Sequence, residues 1–202
     1  MEDITTKLDT LYISKEKVLY YSIAFDNYKN IMKIVSDTLS DNLKGIYTKT
    51  LDDYKSFDDS ETKEITETFS PFIEKLKPNE NFIVYDDKLY TLNSEFHITT
   101  LFTSGKPHEK SSEMEEQVGK KVNVKLNKLG LSHNFIVLGV EYIKLEDDTD
   151  INYYGNSVKH ITIALNKTGK KVFPKDSYTA LENGKIKDLD IIIEGKCSKV
   201  VQ

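Results

Sequence analysis

The tripeptide histidine–isoleucine–threonine occurs twice in this sequence, at residues 97–99 and 160–162. An imidazole titrates near neutral pH, so one histidine can take a proton from an attacking oxygen while another gives a proton to a leaving oxygen. A hydroxyl beside each imidazole can donate a hydrogen bond to oxygens that carry negative charge. The candidate catalytic residues are therefore His97, Thr99, His160 and Thr162. Either histidine can be the base, and the sequence leaves that choice open.

Each tripeptide lies in an apolar, β-branched run, residues 95–102 and 158–165, and such runs are typical of strands. Side chains alternate between the two faces of a strand, so each histidine shares a face with its threonine. The opposite faces are expected to pack on the core, and they carry Phe96, Ile98, Thr100, Phe102, Ile161, Ile163 and Leu165. Two such strands facing each other would place both imidazoles across one cleft. The alternative is that both pairs are buried polar groups with satisfied hydrogen bonds.

The two motifs lie 63 residues apart, and a small or apolar pair follows each of them, at residues 100–101 and 163–164. This arrangement resembles the 2H phosphoesterase superfamily over about Leu19 to Val201, and the segment 103–107 is similar to a strand-to-helix turn of some members. The superfamily includes LigT-like RNA 2',3'-cyclic phosphodiesterases and viral enzymes that cut 2'-linked nucleotides. The resemblance implies an α+β, bilobal fold in which two small antiparallel sheets line a central cleft, with the helices outside.

The resemblance also implies a reaction, namely cleavage of a phosphodiester at a ribose 2'-oxygen without a metal or other cofactor. The first expected substrate is a 2'-5'-linked nucleotide second messenger, mixed-linkage cyclic GMP–AMP before 2'-5' oligoadenylate, as for viral relatives that remove immune messengers. Opening of RNA 2',3'-cyclic phosphate ends is the alternative reaction. A second class is a module that holds nucleotides without turnover, although such a binder has no need of two proton-transfer groups.

Four further residues are candidate substrate contacts. Tyr153 and Tyr154 lie in the predicted loop before the second motif, where an aromatic ring can stack on a base at about 1–3 kcal/mol per base. The alternative is that one of these rings packs on the edge of the core. Lys106 and Lys167 shortly follow the two motif strands and are expected to contact phosphate, although 28 lysines make that signal weak.

Other chemistries have less support in the sequence. A zinc site is usually built from three or four ligands at close spacing, and the four histidines show no such pattern. Two of them, His108 and His133, lie in predicted turns and are expected at the surface. Cys197 is expected to be a packed residue near the end of a strand, and the segment around Gly105 lacks the spacing of a phosphate-binding loop.

Composition indicates one domain over residues 1–202, because a chain of this length can bury a substantial core, and the resemblance implies that this domain has two lobes. No apolar stretch approaches the ~20 residues that cross a bilayer, so no membrane association is expected. The amino terminus has neither a basic start nor an apolar run, which predicts a cytoplasmic protein without a secretory signal. The single cysteine excludes an internal disulfide and fits a reducing compartment.

Charge is distributed unevenly along the chain. Residues 1–96 contain 12 lysines and 19 acidic residues, whereas residues 97–175, which hold both motifs, contain 12 lysines and 9 acidic residues. A long nucleic acid duplex would favour a broad basic face, because counterion release drives that binding. A net charge of −5 favours a short nucleotide held in a cleft. All 28 basic residues are lysine, which with frequent Ile, Asn and Tyr suggests an AT-rich viral or bacterial genome.

The rest of the sequence predicts the strands and helices that position the two motifs. Strands are expected at residues 18–25, 82–85, 88–92, 122–131, 134–145 and 189–193. Helices are expected at about residues 27–43, 60–76, 107–118 and 176–182, with a cap at Asp26, a stop at Gly45 and a break at Pro71. An acidic and aromatic loop is expected at residues 146–156. Strands and helices in this order predict an α+β fold.

Overall fold

The computed structural model describes residues 16–40, 43–48, 60–77 and 80–202, and within them the chain has the predicted α+β fold. The strands are β1 (Val18–Ala24), β2 (Leu43–Thr48), β3 (Asn81–Tyr85), β4 (Lys88–Leu92), β5 (His97–Phe102), β6 (Lys121–Leu131), β7 (Phe135–Leu145), β8 (His160–Leu165) and β9 (Lys185–Val201). The helices are α1 (Tyr28–Leu39), α2 (Ser60–Ile73), α3 (Ser111–Glu115) and α4 (Thr179–Asn183), and a 3-10 turn covers Pro174–Asp176. None of the helices described in these ranges is long and apolar enough to cross a membrane.

The described strands form one antiparallel sheet in the order β2-β3-β4-β8-β7-β6-β9-β1-β5, where the family resemblance implies two small sheets. The physical reason is the length of β9, which has 17 residues where a strand of only five is predicted. This strand pairs with β6 over Lys185–Lys196 and with β1 over Lys196–Val201. Because β9 pairs with both β6 and β1, hydrogen bonding is continuous through the sheet from β2 to β5.

Curvature of the sheet brings the two motif strands together. β8 pairs with the first residues of β7, whereas β5 lies at the far edge of the sheet beside β1. β5 and β8 are therefore not hydrogen-bonded neighbours, yet their Cα atoms approach within 8 Å. The backbone N–H of Tyr154, in the loop before β8, donates to the carbonyl oxygen of Thr100 in β5 at 2.8 Å. The edge strand thus curls back over the strand that carries the second motif.

Helix α1 covers one face of the sheet with an apolar stripe, and Ile31, Val35 and Leu39 are buried there in the main core. Its cap is Asn27 rather than Asp26, because the Asn27 side chain accepts from the backbone N–H of Asn30 at 3.0 Å. The helix ends at Leu39, and Gly45, the predicted stop, lies inside β2.

The other predicted helices differ mainly in their ends. Helix α2 runs through Pro71 to Ile73, so the predicted break is wrong, although the helix extends only two residues further. Helix α3 has five residues where twelve are predicted, and it begins at Ser111 rather than at Pro107. The hairpin between β3 and β4 is confirmed, since Asp86 and Asp87 both adopt positive φ angles of 50° and 53°, as a two-residue type I′ turn requires.

Candidate active site

Both motif strands contain a β-bulge at the residue that follows the motif threonine. In β5, Thr99 and Leu101 pair with consecutive residues of β1, so Thr100 is the extra residue. In β8, Thr162 and Ala164 pair with consecutive residues of β7, and the extra residue is therefore Ile163. A bulge increases local twist and redirects the side chains around it. The two motifs thus share one backbone irregularity at the same position.

The bulge in β5 explains why one residue departs from strict alternation. Phe102 is predicted on the core face with Ile98, but its side chain is 67 % exposed. Because Thr100 is an extra residue, the alternation of faces shifts beyond it, and Phe102 lies at the wall of a cavity. Ile98, which precedes the bulge, is buried as predicted.

A cavity of about 590 Å³ lies between β5 and β8, within the range typical of small-molecule sites. The two histidines and two threonines of the motifs line it together with both predicted tyrosines, that is His97, Thr99, His160, Thr162, Tyr153 and Tyr154. None of the four motif side chains is fully buried; each is half-buried and opens on the cavity. The structure therefore brings together six of the eight predicted site residues.

His160 is held in one tautomer by its own strand. Its Nδ1 lies 2.8 Å from the carbonyl oxygen of Val158, and since a carbonyl only accepts, Nδ1 carries the proton of the neutral ring. This leaves Nε2 with a free lone pair. Burial lowers the pKa of His160, and the backbone hydrogen bond at Val158 partly opposes that effect. The ring of Tyr178 packs against it, with 6.3 Å between the ring centroids.

His97 stacks on Tyr20 with ring centroids 5.3 Å apart and planes 23° from parallel. Burial is the main reason why the pKa of His97 is lowered; the charge of Glu95 and a backbone hydrogen bond with the same residue oppose the shift. The charge of His160 lowers the pKa of His97 further, so protonation of one imidazole disfavours protonation of the other.

The two predicted tyrosines play different parts in the cavity wall. Tyr153 packs on the main core, and burial raises the pKa of its hydroxyl to about 12. Tyr154 is 38 % exposed, its hydroxyl donates to Glu113, and Lys110 Nζ lies 5.3 Å from its ring centroid. Tyr154 is therefore the ring available to stack on a ligand, whereas Tyr153 matches the alternative of a ring at the core edge.

The loop that carries these tyrosines lies against β5 with no spare room at Gly155. A Cβ added there would come within 2.4 Å of the Thr99 carbonyl oxygen and 2.7 Å of the Tyr153 hydroxyl. Contacts that short are prevented by repulsion, so only glycine allows the loop to approach the first motif this closely. The sequence alone gives no reason to single out Gly155.

The two predicted lysine contacts are not part of the cavity wall. Lys106 is exposed in the turn after β5, and Lys167 Nζ forms an ion pair with Glu80 at 3.3 Å. Lys175 lines the cavity instead, together with His108, which the sequence predicts at the surface only. Proximity to a motif in sequence thus does not identify the lysine at the cavity, because Lys175 reaches it through the 3-10 turn that begins nine residues after the end of β8.

Further wall residues could not be found from the sequence, because strands distant along the chain contribute them. Tyr20 comes from β1, and Asn93 follows β4. The Asn93 side chain donates to the carbonyl oxygen of Thr162 at 2.8 Å, and its backbone N–H donates to that of Ile163 at 2.9 Å. Asn93 thereby continues the pairing of β4 with β8 up to the second motif.

Among the residues that the structure describes, none that lines the cavity is acidic, in a protein with 33 acidic residues. Its described lining includes the three histidines His97, His108 and His160 and the basic residue Lys175. This charge distribution favours an anionic ligand. Within the described ranges, no group of three or more His, Cys, Asp and Glu side chains is arranged to hold a metal ion. No protein-family model matches the chain, and no curated protein matches it either.

Proposed function

We propose that this protein is a phosphodiesterase of the 2H phosphoesterase type that cleaves a 2'-5'-linked nucleotide second messenger without a metal ion. Mixed-linkage cyclic GMP–AMP is the first substrate and 2'-5' oligoadenylate the second. The observation that carries the proposal is the meeting of both histidine–threonine pairs at one cavity. In this view β5 and β8 belong to the two lobes of such a fold, which the long strands join into one sheet.

The chemistry needs one neutral and one protonated imidazole. The neutral ring takes the proton of the attacking oxygen through its free nitrogen, and the protonated ring gives a proton to the leaving oxygen as the P–O bond breaks. The hydroxyls of Thr99 and Thr162 donate to the non-bridging phosphate oxygens, on which charge is concentrated. The charge of His160 lowers the pKa of His97, although less than burial does, and so disfavours the doubly protonated pair.

Three properties of the cavity support a small nucleotide as the substrate. Its volume suits a small molecule rather than a duplex, and the absence of acidic residues among its described lining suits an anion. The exposed rings of Phe102 and Tyr154 provide surfaces on which bases can stack. Opening of RNA 2',3'-cyclic phosphate ends remains the alternative reaction, because a cyclic phosphate presents the same groups to the two imidazoles.

A nucleotide panel tests this proposal directly. Purified protein is incubated with cyclic dinucleotides, 2'-5' oligoadenylate and an RNA end bearing a 2',3'-cyclic phosphate, and product release is followed by chromatography. We expect turnover of a 2'-5'-linked compound, at the same rate in excess chelator, because the motifs supply bases and hydroxyls rather than a ligand set. Binding without turnover would favour the nucleotide-holding module, and activity that chelator removes and zinc or manganese restores would contradict the mechanism.

The pH profile of kcat/KM should be bell-shaped with its maximum at or below about pH 6.5, the ordinary histidine value. Burial lowers the pKa of both imidazoles, so the acid loses its proton at a lower pH than a solvent-exposed histidine would. The measurement is the initial rate at substrate concentrations well below KM between pH 4.5 and 9. A profile that rises to a plateau above pH 8 would contradict the pairing of two imidazoles.

The lowered pKa values of His97 and His160 also make the free energy of unfolding depend on pH. Because the pKa of each imidazole is lower in the folded than in the unfolded state, the unfolded chain binds more protons as the pH falls through about 6.5. The contribution of these two groups to stability is therefore present above that pH and is lost below it. The free energy of unfolding should depend less on pH in the His97→Gln, His160→Gln double variant than in the wild type.

A further inference from the structure

The threonine hydroxyl of the second motif has a hydrogen-bond partner in the protein, and within the described residues the threonine hydroxyl of the first motif has none. The Thr162 hydroxyl oxygen lies 2.6 Å from the hydroxyl oxygen of Ser177, whose side chain is fully buried. No corresponding partner of the Thr99 hydroxyl is found in the ranges that the structure describes. Ser177 lies directly after the 3-10 turn, between Lys175 at the cavity wall and Tyr178 against the His160 ring.

The direction of this hydrogen bond follows from burial. Within the described part of the chain, Thr162 Oγ1 is the one hydrogen-bond partner of the Ser177 hydroxyl. If Thr162 donated, the Ser177 proton would be buried without an acceptor, which is unfavourable. If Ser177 donates, the Thr162 proton can point into the cavity, because Thr162 is half-buried there. The second arrangement leaves no proton unsatisfied.

We propose that Ser177 is a positioning residue that donates to Thr162 and thereby directs the Thr162 hydroxyl proton at a phosphate oxygen of the substrate. This role rests on the proposed phosphodiesterase activity. It makes the two motifs unequal: Thr162 is a preorganised donor, whereas no residue of the described ranges orients the Thr99 hydroxyl. Donors fixed before the reaction avoid reorganisation as charge develops, which is why their orientation affects turnover more than substrate binding.

The test is a double-mutant cycle with a matched control. Ser177→Ala should lower kcat about tenfold with little change in KM, since Thr162 remains but is no longer oriented. In a Thr162→Val background, Ser177→Ala should have no further effect, because Ser177 acts only through that hydroxyl. In a Thr99→Val background, the full tenfold loss should remain. Thermal unfolding by circular dichroism reports the stability of every variant.

Different outcomes separate this role from the proposed function. If the wild type is active and Ser177→Ala lowers kcat equally in both threonine backgrounds, or lowers only the unfolding temperature, Ser177 is structural and the positioning role is wrong. If the wild type turns over no nucleotide of the panel, the phosphodiesterase proposal fails, and the positioning role, which rests on it, fails with it.

Discussion

Replacing either His97 or His160 with alanine should lower turnover by at least ~10²-fold, the usual contribution of a general acid or base. Each variant removes one of the two proton transfers, because the other imidazole cannot take a proton and give one at the same moment. The double variant should lose less than the product of the two single losses, since the pair acts as a unit. The measurement is kcat on the best substrate of the nucleotide panel.

A matched control for this experiment is His133→Ala. His133 is exposed between β6 and β7 and does not line the cavity, so its removal should leave kcat unchanged. Circular dichroism should show that all variants are folded, because the motif histidines are only half-buried. Near-normal turnover in either motif variant, with His133→Ala behaving like wild type, would remove that histidine from the mechanism.

Mixed-linkage cyclic GMP–AMP should be cleaved at least ~10²-fold faster than its all-3'-5' isomer at equal concentration. Both isomers carry a vicinal hydroxyl that can attack phosphorus, so the chemistry alone does not separate them. The discrimination arises because the two imidazoles are fixed across one cavity, and changing the linkage moves the attacking and leaving oxygens relative to them. A misplacement of about 1 Å can cost ~10²-fold in rate.

The linkage experiment also decides between the two candidate substrates. Initial rates are measured for both isomers and for a 2',3'-cyclic nucleotide under one set of conditions. Equal cleavage of the two isomers would argue against a site selective for 2'-5' linkage. Cleavage of neither isomer, beside rapid opening of the 2',3'-cyclic nucleotide, would reject the messenger and leave the RNA-end reaction.

Local pattern determined the elements that carry the site. Strand alternation places each motif histidine beside its threonine, and all four side chains do lie together at the cavity. The two strands that flank Asp86–Asp87 in the sequence also located the hairpin, in which both of these short polar residues adopt positive φ. These features depend on neighbours in sequence, and a single chain displays them directly.

Tertiary structure decided which distant segments complete the site. The two bulges depend on how β5 pairs with β1 and how β8 pairs with β7, and the exposure of Phe102 follows from the first of them. The contacts of Lys175 and Ser177 depend on how the chain returns to the site after β8. The alternation of one strand fixes its faces but not its partner or register, because those follow from packing between segments far apart in the chain. The resemblance implies two small sheets, whereas the full length of β9 joins the described strands into one.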